Sequence, residues 1–368
     1  MGTVKCSEII KFMEGLAPVS LAEDWDNVGL IIGSPGQEVK KVLVCLDVTS
    51  RVAEEAVEKK VSLIISHHPF IFKGIKRINE NEPKGGIIYK LIRNGTGVYS
   101  AHTNLDFAVG GINDTLAGIL GLSNIKNLKK YKSGKLYKVV VFVPEKDADT
   151  VRDAMSGAGA GWLGNYSDCS FMAKGKGTFR PLDGANPYIG SKGNLERVDE
   201  YRLETIVPEG RLKGVLSSML EAHPYEEVAY DVYPLELSFN EYGMGKTGVL
   251  DEACKLEDFI LLVKERLNIE NVRVIGRAKS EIRNVAVFCG GFDESIFPAL
   301  KEVDALVTGD LKYHASLDAS EEGLLIIDAG HFATERIMVP RLVQLLSEKF
   351  AGINIEASTV EEDPIKIT

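Results

Sequence analysis

The chain has 368 residues and a formal charge of −10, with 45% hydrophobic and 26% charged residues, a composition typical of a globular protein with two or three domains. The negative charge argues against binding nucleic acid or an acidic membrane surface over a broad face, although a local cationic centre could still bind a small anion. Five cysteines without CxxC spacing indicate a reducing compartment and offer no thiolate zinc site. Because the sequence has neither a signal-peptide pattern nor a run of membrane-spanning length, we expect a cytoplasmic protein.

The first part of the chain predicts strands that alternate with helices, the order typical of a mostly parallel sheet covered by helices. A predicted helix at 7–16 and a polar, aromatic segment at 23–30 precede this pattern. The elements that follow are strands at 41–47, 61–66 and 97–101 and helices at 50–60 and 86–94.

The middle of the chain, 126–239, predicts an inserted ferredoxin-like α+β domain. Its predicted elements are strands at 135–144, 169–173, 200–208 and 228–234 and helices at 146–157 and 211–222. The α/β core domain is therefore expected to be discontinuous, at 1–125 and 240–368.

The α/β pattern resumes after the insert, and it weakly repeats the first part. Both parts place polar residues just after the carboxyl end of a strand, where open α/β sheets bind ligands. We therefore expect two related α/β half-domains that face each other across a cleft. The predicted elements are helices at 255–267, 295–303 and 334–350 and strands at 272–275, 285–289, 305–308 and 324–328.

Histidines are concentrated after the predicted strands and in the loops beyond them. Pro69 favours extended backbone at His68, and adjacent side chains on extended backbone diverge, so His67 and His68 suit two separate ions. Five of the six histidines occupy such positions: His67, His68, His102, His314 and His331.

Two of these histidines have a carboxylate four residues later, His102 with Asp106 and His331 with Glu335. On helical or turn backbone this spacing puts an imidazole and a carboxylate on one face. Such ligands suit zinc, iron, manganese or cobalt, and a site without thiolates is open and potentially catalytic. Two divalent ions with one Asp, one Glu and a bridging hydroxide would leave a positive pocket that attracts anions.

Each of these residues also has a structural interpretation. Asp106 could cap a helix, and Glu335 could be a solvated helix residue. His102 could orient a ligand or move protons instead of binding metal, and Asp310 and His314 fit an outer position or a general base better than direct ligation.

Other polar and glycine positions have simpler interpretations still. His223, far in sequence from the other histidines, is interpreted as structural. Asp26 and Asn27 could simply cap a turn, and Gly290-Gly291 could form an anion-binding nest or an ordinary turn.

Five motifs occur in this order along the chain: Trp25-Asp26-Asn27-Val28-Gly29-Leu30, Ser66-His67-His68-Pro69, His102-Thr103-Asn104-Leu105-Asp106, Thr308-Gly309-Asp310 and Gly330-His331 followed by Glu335. Together they resemble the GTP cyclohydrolase I type 2 family, also called the Nif-like dinuclear-metal proteins. The insert ends in His223-Pro224-Tyr225-Glu226-Glu227 and resembles the PII-like or CutA-like domain of longer bacterial members.

The resemblance implies two divalent metal ions per subunit, with zinc expected first, and Asp106 or Glu335 bridging them. It also implies a toroidal homohexamer whose inserts lie over the openings of the ring. Asp310 departs from the pattern, because a longer Glu is expected there. The implied ligands are His67, His68, Asp106, His331 and Glu335.

The leading hypothesis is a dinuclear-metal-dependent hydrolase that acts on a nucleotide-like anion through a metal-activated bridging water. GTP is the substrate that the family name implies, and His102, His314 or Asp310 would move protons. One alternative is a metal-stabilised regulatory or scaffold protein whose PII-like insert senses a small ligand or a partner. Another is a metal-dependent phosphoesterase.

Overall fold

The computed structural model describes residues 2–164, 166–277 and 281–367. The chain divides into two compact units. Unit 1 joins the chain up to Lys132 to the chain from Tyr242 onward, and unit 2 is Ser133–Glu241. Helices combine with both parallel and antiparallel strand pairs, which confirms the predicted α/β class.

The strands of the described residues are numbered in chain order. Two of them, β7 and β10, run across the sequence boundary between the units. The strands are β1 (Val4–Lys5), β2 (Gly29–Ile32), β3 (Glu38–Val39), β4 (Lys41–Cys45), β5 (Leu63–Ser66), β6 (Gly97–Ser100), β7 (Ser123–Pro144), β8 (Ser170–Phe179), β9 (Glu196–Pro208), β10 (Tyr230–Cys254), β11 (Arg273–Ile275), β12 (Ile282–Gly291), β13 (Ala305–Gly309), β14 (Ile326–Asp328) and β15 (Asn354–Ala357).

The α-helices are numbered in the same way. Short 3₁₀ helices also occur at Val19–Leu21, Glu145–Asp147 and Glu294–Glu302. The α-helices are α1 (Cys6–Leu16), α2 (Ser50–Glu58), α3 (Pro83–Arg93), α4 (Thr103–Phe107), α5 (Ile112–Ile119), α6 (Ala148–Gly157), α7 (Glu209–Ala222), α8 (Leu256–Leu267), α9 (Tyr313–Glu321), α10 (His331–Arg336) and α11 (Met338–Lys349).

The first sheet of unit 1 has the order β15-β4-β5-β6-β2, parallel except for β2. Its central strands are buried on both faces, because alternate residues of β4 contribute to different clusters. Val42 and Val44 belong to one core cluster, and Leu43 and Cys45 to another. This double burial is why these strands read as continuous apolar runs.

The second sheet of unit 1 has the order β11-β14-β13-β12-β10-β7. The strands β12, β13 and β14 are parallel neighbours, while β10 and β11 pair antiparallel at either side of them. One core cluster joins residues of both sheets, such as Val44 and Ile65 from the first and Val287 and Val307 from the second. The carboxyl ends of β4, β5, β12 and β13 are thereby fixed on a rigid framework.

Unit 2 follows the order strand, helix, strand, strand, helix, strand, from β7 through α6, β8, β9 and α7 to β10. The strand β9 pairs antiparallel with both β7 and β8. The unit has its own core, in which Val141 and Leu203 pack with Val151 and Met219 of its two helices. Its assignment as a ferredoxin-like or PII-like domain, with bounds 126–239, stays a prediction.

Several predicted elements differ from the structure for local reasons. The predicted single helix at 334–350 is two helices, because Pro340 has no N–H and its ring excludes the carbonyl of Arg336, where α10 ends. The predicted helix at 295–303 is a 3₁₀ helix that contains Pro298. The strands β2 and β15 were not predicted, because these edge strands are only partly buried and lack the continuous buried apolar run of β5.

Candidate metal centre

Strand register brings the predicted ligands of the first sheet to one edge. Cys45 of β4 pairs with Ser66 of β5, and Ser66 pairs with Ser100 of β6. Two residues beyond these partners lie Asp47, His68 and His102. Because the strands are parallel, these three side chains leave the same edge of the sheet.

Four imidazoles, three from this edge and His331 from α10, share one arrangement, in which an oxygen acceptor lies at Nδ1. A carbonyl or carboxylate at Nδ1 keeps the proton there in the neutral ring and leaves the lone pair on Nε2. Nε2 is the nitrogen that binds metal in such a tautomer. The four Nδ1 contacts are His67 with the Ala101 carbonyl at 2.9 Å, His68 with Asp47 at 2.9 Å, His102 with Asp26 at 3.0 Å and His331 with Asp310 at 2.9 Å.

The donor atoms divide into two sets around the carboxylate of Glu335. In the first set, Nε2 of His67 lies 3.5 Å from Oδ1 of Asp106 and 3.7 Å from Oε1 of Glu335. In the second, Oε2 of Glu335 lies 2.9 Å from Nε2 of His68 and 3.0 Å from Nε2 of His331. The two oxygens of one carboxylate therefore face two different groups of ligands.

Three buried atoms of this cluster lack a hydrogen-bond partner of good geometry among the described residues: Nε2 of His67, Oδ1 of Asp106 and Oε2 of Glu335. The nitrogens of His68 and His331 therefore lie close to Oε2 of Glu335 without forming hydrogen bonds to it. Buried polar atoms normally find partners, so their convergence fits a cation bound between them. Among the described residues, two groups have ligand atoms within 4.8 Å of one another: His67, His68 and His102, and His68, His331 and Glu335.

The pKa shifts follow from burial and from the close charges. Burial lowers the pKa of His67, which keeps that imidazole neutral. Burial acts in the same direction on His68 and His331, but their carboxylate neighbours outweigh it and raise the pKa to about 10 and about 9. Burial and the charge of Glu335 raise the pKa of Asp106, whereas the imidazoles lower that of Glu335 against the effect of burial.

Two glycines allow the close approach of backbone to the cluster. Gly290, the next-to-last residue of β12, has φ +67°, and a Cβ there would overlap Oε1 of Glu335. Its N–H donates to Oγ1 of Thr334 at 3.1 Å. A Cβ on Gly309 would lie 2.8 Å from the backbone N of His331. Both positions therefore require glycine for close packing against α10.

The remaining predicted site residues lie at different distances from the cluster. Asp310 reaches His331 despite being shorter than the expected Glu. His314 is exposed on α9, and its ring contact in the described part of the chain is with Tyr313, so its proton-transfer role stays a prediction. His223 lies in unit 2, where its ring contacts the Phe142 carbonyl at 3.0 Å.

Asp47 is a site residue that the sequence did not reveal, and Asp26, although part of one of the five motifs, was interpreted only as a possible turn cap. Asp47 could have been found from the parallel register that places it beside His68. Asp26 gave no such signal, because its place depends on the unpredicted antiparallel strand β2, in which Gly29 pairs with Ser100.

A cavity of about 840 Å³ adjoins the second donor set. His68 and Asp47 line one side of it, and Phe70 and Phe332 supply apolar surface. Its volume is in the range of small-molecule sites. Its lining carries charges of both signs: Arg51, Lys84 and Lys366 with Asp47, Glu361, Glu362 and Asp363.

The fold and the cluster define a mixed α/β protein with converging imidazoles and carboxylates that could hold metal ions. A family model described as Duf34/NIF3 (NGG1p interacting factor 3) matches residues 4–364. The chain belongs to this family, which confirms the resemblance found in the motifs.

Named relatives and solved structures agree over nearly the whole length. A Bacillus subtilis protein named GTP cyclohydrolase 1 type 2 homolog is 42% identical over 367 residues, with 98% of each chain covered. The crystal structure of a Bacillus cereus protein related to NIF3 is 41% identical with a TM-score of 0.88, covering 99% of each chain. A Staphylococcus aureus protein is 33% identical with a TM-score of 0.76, covering 100% of each. In the described part of this chain, no helix has the length and apolarity needed to cross a membrane.

Proposed function

We propose that this protein is a dinuclear-metal-dependent hydrolase that acts on a nucleotide-like anion, with GTP as the first substrate to test. The observation that carries the proposal is the set of four imidazoles whose Nδ1 atoms are each held by an oxygen. This is the tautomer that metal ligation needs. The name of the 42% identical relative supports GTP as the substrate.

The proposed ligands are His67, Asp106 and Glu335 for one ion and His68, His331 and Glu335 for the other. The distances favour Glu335 as the bridging carboxylate, because each of its oxygens faces one set. Zinc is expected, with iron, manganese and cobalt as alternatives for the same donors. Two such ions would supply a nucleophilic hydroxide from water near neutral pH.

His102 is the proposed proton acceptor. Asp26 accepts from its Nδ1 at 3.0 Å, so the neutral ring has its lone pair on Nε2 and can take a proton there. The His102 ring centroid lies 5.2 Å from that of His67 and 5.5 Å from that of His68. Asp26 would stabilise the imidazolium that results.

Assembly and location complete the proposal. We expect a homohexameric toroid in the cytoplasm, which light scattering would detect as a mass six times that of the chain. The free cysteines of the structure are consistent with a reducing compartment. Unit 2 is proposed to be a PII-like insert.

A second candidate function is a metal-stabilised scaffold with no turnover. It is favoured by the origin of the donors, since His67 and Asp106 come from the first part of unit 1 and His331 and Glu335 from the last. A bound cation would then chiefly hold these two parts together. Large stabilisation by metal without turnover on a nucleotide panel would support this candidate.

The reaction that the family name implies is the opening of the GTP imidazole ring at C8 by water, which releases formate. The deciding experiment therefore incubates zinc-loaded protein with GTP and measures released formate and the metal content. We expect formate, about two ions per chain, and loss of both in Glu335→Gln. Glu321→Gln, at an exposed position on α9, is the matched control. If no formate appears and Glu335→Gln behaves like the wild type, the hydrolase assignment is wrong. Inorganic phosphate without formate would indicate the phosphoesterase instead.

A further inference from the structure

Trp25 and Phe72 form an exposed aromatic pair beside the candidate metal centre. Trp25 is 57% exposed and Phe72 40% exposed, and their ring centroids are 5.5 Å apart with an angle of 41° between the planes. Large aromatic side chains usually bury most of their surface. Two of them exposed together therefore mark a surface that binds something.

This pair lies beside His102, the proposed proton acceptor. The ring of His102 lies 6.0 Å from Trp25 and 6.2 Å from Phe72, in edge contact with both. The same imidazole lies 5.5 Å from the ring of His68. A ligand resting on the aromatic pair would thus lie beside His102, whose ring adjoins that of the proposed ligand His68.

The pair is held in place by polar contacts of the two residues that follow Trp25. The Asp26 side chain is fully buried and accepts hydrogen bonds from His102 and from Thr103. The Asn27 side chain donates to the carbonyl of Ile71, the residue before Phe72. One short segment therefore fixes the indole, the neighbouring phenyl ring and the proton-accepting imidazole relative to one another. Such fixed geometry reduces the entropy lost on binding.

We propose that Trp25 and Phe72 stack on the planar heteroaromatic ring of the substrate, a nucleobase, and present its edge to His102 and the metal cluster. This inference rests on the proposed function for the identity of the substrate, but its test measures binding alone. Stacking on an aromatic side chain is possible for every base, because each has a π face. The aromatic pair therefore selects base-containing anions over other phosphates.

Trp25 itself can report the binding. The chain has two tryptophans, so a Trp162→Phe background leaves Trp25 as the single indole. Zinc-loaded protein is titrated with the four nucleoside 5′-monophosphates, and with ribose 5-phosphate as the ligand without a base. We expect saturable quenching by at least one nucleotide and none by ribose 5-phosphate.

Affinity for the best nucleotide is then measured by calorimetry in two variants of Trp25 and a control. Trp25→Ala is expected to weaken binding about 5- to 150-fold, while Trp25→Phe stays within a few-fold of the wild type. Tyr166→Ala, at a 75% exposed aromatic residue of unit 2, is the control and should not change. All variants should keep the wild-type metal content.

The outcomes separate this inference from the hydrolase proposal. Quenching without any formate release would support the aromatic binding site and contradict the hydrolase proposal. Formate release with unchanged nucleotide affinity in Trp25→Ala would support the hydrolase proposal and contradict the aromatic binding site. Equal binding of ribose 5-phosphate, or no quenching by any of the four nucleotides, would overturn the inference. So would a change of oligomeric mass in Trp25→Ala at wild-type affinity, because the pair would then be a contact between copies of the chain.

Discussion

Gly290→Ala gives a sharp test of the proposed bridging role of Glu335. A methyl group at this position would overlap Oε1 of Glu335, so the carboxylate would have to move by about 1 Å or more. Glu335 is only 3% exposed and faces three imidazoles, so there is little space for that movement. The substitution thus displaces the ligand shared by both donor sets without altering any ligand residue.

Two effects of different size are expected. Loss of an outer partner of a metal ligand lowers metal affinity about 10- to 100-fold, so displacing a shared ligand should lower zinc affinity by at least about 100-fold, or about 2.7 kcal/mol. The backbone at φ +67° adds about 1–2 kcal/mol of strain for alanine, which lowers the melting temperature of the metal-free protein by a few degrees.

The assay is equilibrium dialysis against chelator-buffered zinc, followed by elemental analysis, with thermal unfolding of the metal-free protein alongside. Gly291→Ala is the control, since a methyl group there meets no described atom within 4 Å. If Gly290→Ala binds zinc within threefold of Gly291→Ala, Glu335 is not a ligand in the observed position and the two-set description is wrong.

Two further predictions concern carboxylates outside the ligand set. Asp47→Asn and Asp310→Asn each remove the charged acceptor from a ligand imidazole, at His68 and His331, and should weaken zinc binding about 10- to 100-fold in the same dialysis, whereas Asp318→Asn should not. Glu55, 5% exposed and bonded to Lys59, Ser358 and Thr359, has its pKa lowered from 4.5 to about 2 because these partners outweigh burial. Its ionised form therefore contributes about 3 kcal/mol above pH 4.5, and this is lost as the pH falls toward 2. In urea unfolding, Glu55→Gln should be less stable than the wild type at pH 7, with a gap that narrows below pH 4.5; a gap independent of pH would contradict this.

Site residues were easiest to predict from the sequence where they directly follow a buried parallel strand. His67 and His68 directly follow β5, and apolar runs make such strands visible without any knowledge of their neighbours. Site residues that contact a ligand from a neighbouring strand were harder to find. Asp47 becomes meaningful only when β4 and β5 are placed in register.

Short elements and backbone detail escaped the sequence for physical reasons. Partly buried edge strands such as β2 lack the buried apolar run that makes central strands visible, and the position of Asp26 depends on that strand. From the sequence, Gly290-Gly291 could be either a turn or an anion-binding nest. The reason for a glycine at position 290 becomes visible only in the folded protein, where Glu335 occupies the space that a side chain would need. Tertiary contact, not local preference, decides such positions.

The proposed donors come from both ends of unit 1, with all of unit 2 between them in the chain. A ribosome therefore completes His67, His68 and Asp106 long before it adds His331 and Glu335. A nascent polypeptide would have only a partial ligand set, of low affinity, for most of its synthesis. Only the finished protein would then bind the metal ions tightly, and chains that end at a premature stop codon before residue 331 would bind them weakly.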